Sequence, residues 1–112
     1  MKIEFLKKGK YLVLSVQNVP KGQLDLTNIK MLKTRIESVV PPEEQHVILD
    51  MEKITYIDSS VIGYMVDLLN RFRNKSGSFG LMNLNPKVQN ILELANLMKF
   101  FNTVPSIDAI EG

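Results

Sequence analysis

Residues 46–63, HVILDMEKITYIDSSVIG, decide how the rest of the chain is read. The run from His46 to Met51 is short, continuous and apolar, as a strand buried on both faces of a parallel sheet should be. The pattern then changes. Asp58, Ser59 and Ser60 interrupt the apolar residues, and beyond them Val61, Met65, Leu68, Leu69 and Phe72 lie on one face of a helix that stops before Ser76-Gly77. Two roles fit the polar triplet. A Ser or Asp side chain can cap a helix by accepting a hydrogen bond from a first-turn amide. The same residues can instead form a chemical or regulatory site at a strand-to-helix junction, where open α/β sheets usually meet their ligands and partners.

Working outward, residues 2–7 and 10–17 read as two strands joined by a turn at Gly9, and YLVLSV is apolar enough for a central strand. After the polar loop QNVPKGQ, the spacing of Ile29, Leu32, Ile36 and Val39 predicts a helix from Asp25 or Thr27 to about Val40, ended by Pro41-Pro42. A strand is expected at 78–84. Asn85-Pro86 then pairs a capping side chain with proline at the first helical position, and Val88, Ile91, Leu92 and Ala95 supply the buried stripe. KFFNTV, 99–104, reads as a last strand and SIDAIEG, 106–112, as a short terminal helix. The order is ββαβαβαβα over a single domain, 1–112. It implies an α/β fold: an open mixed sheet of four to five strands, mostly parallel with one antiparallel edge, packed by about four helices. Met31, Met51, Met65, Met82 and Met98 fall in or beside these elements and read as core filler.

Composition removes several function classes. Apolar residues make up 45% and charged residues 23% of the 112, which are globular values, and a formal charge of +2 is too small to indicate nucleic acid. The basic clusters Lys7-Lys8-Gly9-Lys10 and Arg71 to Lys75 read as a hairpin tip and a solvated helix end. With no cysteine, neither a disulfide framework nor a thiolate metal site can form, which fits a reducing cytoplasm. No apolar segment approaches the ~18 residues of a membrane helix, and Tyr11 to Val16 is too short for a signal-peptide core.

The triplet is also poor in catalytic company. His46 is the only histidine. It begins the strand whose far end leads toward Ser59, so roughly 17–20 Å of extended chain separates it from that hydroxyl, and a serine nucleophile has no base. There is no G-x-S-x-G elbow, no phosphate-cradling glycine loop and no acidic cluster for a cation, Asp50 being flanked by apolar residues inside a strand. No metal or cofactor is expected. What remains is Ser59 as an acceptor served by a partner kinase. Asp25, following the second strand and opening the first helix, would lie on the same edge.

At these residues the chain resembles a family, the STAS domains, and among them the small anti-sigma-factor antagonists of bacteria. VILDMEKITYIDSSVIG is similar to the family's apolar strand, acidic connector and D-S-S-G-L-G motif; QLDLTN resembles its G-E-L-D segment; LMNLNPKVQNILELANLMKFF resembles its strand, N/S-P-x-V helix and S-G-L-x-x-x-F run. The resemblance implies a cytoplasmic, non-enzymatic switch. Its unphosphorylated form would bind an anti-sigma factor that is also a serine kinase, phosphorylation of Ser59 would end that binding, and a PP2C-type phosphatase would reset it. By the same carry-over Asp25, Asp58, Ser60, Val61 and Gly63 would line the partner surface. Two departures stand out: Val61 stands where the motif has its first glycine, and ANL replaces SGL at 95–97. The branched Val61 side chain, two residues after Ser59, is expected to face the partner and restrict which kinase docks. The alternative is a STAS module that binds a nucleotide, another small ligand or an assembly partner with Ser59 unmodified.

Overall fold

The computed structural model describes residues 1–112. Its N-terminal hairpin pairs β1 (Lys2–Lys8) with β2 (Tyr11–Gln17) antiparallel, from Lys2 opposite Gln17 to Lys8 opposite Tyr11. Gly9 turns the hairpin at φ +58, and a Cβ there would run into the Glu111 carbonyl, so glycine is required twice over. The remaining strands of this sheet, β4 (His46–Asp50), β6 (Ser78–Met82) and β7 (Asn102–Val104), run parallel to β2, and the spatial order is β1-β2-β4-β6-β7. A second, two-stranded parallel sheet joins β3 (Gln23–Leu24) to β5 (Tyr56–Ile57). The helices are α1 (Ile29–Val39), α2 (Ser59–Asn74) and α3 (Pro86–Leu94).

Period-2 alternation divides the sheet's two faces. Leu12, Leu14 and Val16 of β2, Val47 and Leu49 of β4, and Phe79 and Leu81 of β6 share one cluster with the buried stripes of all three helices. The intervening residues Val13, Ile48 and Met82 form a separate cluster with Ile110, flanked by Tyr11, Val104 and Ile107. One face is therefore roofed by helices and the other by the C-terminal segment. Phe79 anchors the main core between Phe72, stacked at 6.4 Å, and Phe101, edge-on at 6.3 Å.

Several boundaries differ from the sequence reading. The expected terminal helix, 106–112, is a single 3-10 turn at Ile107–Ala109, because an apolar pair three residues apart needs only one tight turn to face the sheet. The expected strand 99–104 keeps only its last three residues, since a 3-10 turn, Met98–Phe100, swings buried Phe101 into the core first. Strand β6 ends at Met82, two residues early. Helix α1 begins at Ile29, because residues 25–28 are held in a side-chain-bonded turn. The β3–β5 sheet was not anticipated. Of the methionines read as core filler, Met51, Met65 and Met82 are buried, whereas Met31 is 47% exposed.

Candidate functional site

The β3–β5 sheet builds the site. Leu24 lies beside Ile57 in register, so Asp25 and Asp58 leave adjacent strand ends in the same direction. Upstream, Gly22 at φ +65 lies so close to Lys53 that a Cβ would contact its carbonyl, and the Thr55 amide donates to the Gly22 carbonyl at 2.8 Å. This clamp fixes where both strands begin.

Asp58 is the N-cap of α2. Its Oδ1 accepts from the Ser60 amide at 3.0 Å, the Val61 amide at 3.2 Å and the Ser60 hydroxyl at 2.6 Å. Its Oδ2 accepts from the Leu26 amide at 2.9 Å, across to the turn ahead of α1. The Ser60 hydroxyl bond, aided by the Val61, Leu26 and Ser60 amides, outweighs partial desolvation and holds this carboxyl below the usual range. Asp25 organises the other side. Its carboxylate accepts from the Thr27 amide at 2.9 Å and from the Thr27 hydroxyl, while its own amide donates to Asn28 Oδ1 at 2.9 Å. Asn28 Nδ2 returns to the Gln23 carbonyl at 2.8 Å, closing the turn.

The two serines differ sharply. Ser60 is half-buried with its hydroxyl committed to Asp58, whereas Ser59, the first residue of α2, is exposed and its hydroxyl has no partner in the chain. Gly63 lies one turn further on, also exposed, with open space where a Cβ would stand. Asp25, Asp58, Ser59 and Ser60 are thus assembled at one strand-end edge, with Gly63 on the helix leaving it. Val61 is a correction. Its side chain is 0% exposed and packs in the main core, so it cannot face a partner; the helix turns it inward on the same stripe as Met65 and Leu68.

Two residues outside the edge have structural partners. His46 is half-buried at the opposite end of β4, with Nδ1 2.9 Å from the Ser78 hydroxyl. Asp50 ties the ends of the central strands, accepting from Ser15 at 3.1 Å and Asn83 at 3.0 Å. Sequence reasoning missed Leu26, which is 74% exposed and whose amide bridges the two halves of the site. The only signal was an apolar residue between the polar side chains of DLTN. No helix is long and apolar enough to cross a membrane.

The STAS domain family matches residues 4–110. The chain belongs to that family. A relative from Paenibacillus polymyxa, named anti-sigma F factor antagonist, is 23% identical over 79 residues, 70% of this chain and 68% of its own. Among solved structures, the Thermotoga maritima protein TM1081 superposes with a TM-score of 0.79 at 21% identity, covering 95% of this chain and 88% of that one. The anti-sigma factor antagonist SpoIIAA in its unphosphorylated form gives 0.71 at 16% identity, covering 96% and 91%. The phosphorylated form of SpoIIAA, a Bacillus cell fate determinant, gives 0.65 at 15% identity, covering 96% and 95%. These likenesses establish the five-stranded STAS fold with its antiparallel edge.

Proposed function

We propose that this STAS domain is an anti-sigma-factor antagonist of the bacterial cytoplasm, a binding switch rather than an enzyme. Its unphosphorylated form binds an anti-sigma factor with serine kinase activity and frees a sigma factor; phosphorylation of Ser59 ends the complex, and a PP2C-type phosphatase restores it. The observation that carries this reading is the inequality of the adjacent serines: Ser60 is spent on the Asp58 cap and Ser59 is a free, exposed hydroxyl. A relative named anti-sigma F factor antagonist and a fold neighbour described in both phosphorylated and unphosphorylated forms support it.

Chemistry at the helix start is compatible with the switch. A phosphoryl group on Ser59 adds about −1.5 to −2 charges beside first-turn amides, which favour an anion by roughly 0.3–1 kcal/mol. The domain tolerates the charge. A partner that closes over Asp58 and Ser59 must desolvate two neighbouring anions, so the complex does not. Incubation with ATP and a candidate anti-sigma kinase, followed by intact mass, tests the assignment: wild type and Ser60→Ala gain one phosphoryl group and Ser59→Ala gains none. Phosphate mapped to Ser60 overturns it.

A further inference from the structure

An exposed leucine is ordinary on a protein surface. Leu26 is not ordinary in how it is held. At 74% exposure it sits in a four-residue turn fixed by the Asp58 carboxylate on its own amide, by Asp25 on Thr27, and by Asn28 on Asp25 and Gln23. A polar network of this density fixes the backbone from which the side chain projects, so the turn loses little entropy when a pocket closes on it. In most interfaces a few residues that fill well-packed, desolvated pockets carry most of the affinity.

Asp25 and Asp58 flank Leu26 itself, and beyond them the surface of α1 is cationic. A groove along the first turns of α1 is lined by Thr27, Lys30, Met31, Thr34 and Arg35, with no carboxylate among them. Neither Lys30 nor Arg35 takes part in any of the chain's four ion pairs, so both cations are uncompensated. Met31, 47% exposed, supplies a second apolar contact between them.

We propose that Leu26 is the apolar anchor of this domain's docking surface, and that the partner is a protein whose apolar pocket takes Leu26 while an acidic rim faces Lys30 and Arg35. This rests on the antagonist reading and deepens it: the partner is the anti-sigma kinase. A phosphoryl group on Ser59 adds to the negative charge of Asp58, the carboxylate that holds Leu26, so docking and its reversal act on adjoining parts of one surface.

The test uses the purified kinase identified by the mass shift on wild type, with Kd measured by calorimetry at two salt concentrations. Leu26→Ser should weaken the complex at least tenfold, and Lys30→Glu/Arg35→Glu should weaken it and flatten its salt dependence. Leu94→Ser is the control, because Leu94 is 80% exposed but at the C-terminal end of α3, away from the strand-end edge; it should bind as wild type. A normal wild-type complex that Leu26→Ser leaves unweakened, or that Leu94→Ser weakens equally, overturns the anchor alone. A wild type that forms no complex with any such kinase overturns the antagonist reading and the anchor with it.

Discussion

One carboxylate joins the two halves of the site: Asp58 Oδ2 accepts the Leu26 amide at 2.9 Å while its Oδ1 caps α2 through Ser60 and Val61. The helix that carries Ser59 and the turn that carries Leu26 therefore cannot move independently without breaking a charge-assisted bond.

Asp58→Ala removes the cap and the tether together and should cost about 1–2 kcal/mol in urea unfolding. Asp58→Asn retains a capping oxygen but turns an NH2 group toward the Leu26 amide, at a cost of about 1 kcal/mol. Both variants should speed amide exchange at Leu26. Unchanged exchange there in Asp58→Ala would show that the tether does not order the turn.

The pH behaviour of Asp58 has a definite sign. Its carboxyl is held down first by the Ser60 hydroxyl and then by amides, so the folded group ionises at lower pH than the unfolded one. Its contribution to stability is complete above the ordinary carboxylate range, near ~3.9, and disappears as pH falls through the depressed folded value. Carboxyl NMR should place its midpoint below that range, and Ser60→Ala should move it upward. No movement would mean the hydroxyl bond is not the main cause.

Val61 acts on stability, not on a partner's surface. Val61→Gly removes a wholly buried side chain, about 1.5–3 kcal/mol, and adds the helix penalty of glycine, roughly 0.5–1 kcal/mol more. The variant should melt at least about 10 °C lower. Its affinity, measured well below the melting range, should stay within about threefold of wild type. A folded Val61→Gly with a selectively altered partner preference would restore a docking role for this position.

The legible parts of the sequence were those with strong periodicity. HVILDM was read as a buried parallel strand and lies in the middle of the sheet; Val61 to Phe72 was read as one helical stripe and is one. That same stripe places Val61 with Met65 and Leu68, so its burial is readable from spacing, whereas the family's glycine at that position implies an outward contact. Strands β3 and β5 have two residues each and lie about thirty apart, too short for any period to register, yet they bring Asp25 beside Asp58. Ile107 and Ile110 fit a helix and a single tight turn equally well. Leu26 carried no pattern at all, because its role comes from an amide.

Ser59→Asp should fold and melt within a few degrees of wild type, since an acid at the first helical position meets favourable amides. Its complex with the kinase should weaken at least tenfold, the usual effect of an uncompensated charge in an interface. Loss of folding, or undiminished binding, would each remove the proposed switch.

Ile110 tests the division of the core into two clusters. It is 6% exposed and packs with Val13, Ile48 and Met82 on the face without helices, where the C-terminal segment is the only cover. Ile110→Ala should cost about 2–3 kcal/mol, the lower part of the range for such truncations because a terminal segment can relax toward the gap. Binding of a hydrophobic dye should rise as the apolar sheet face is uncovered, with helical circular dichroism unchanged, since none of the helices contributes to that cluster. Val61 belongs to the cluster on the opposite face, so Val61→Ala/Ile110→Ala should be additive to within about 0.5 kcal/mol. A coupling well above that would mean the sheet transmits strain between its faces, and the roofed and strapped sides would then have to be treated as one core.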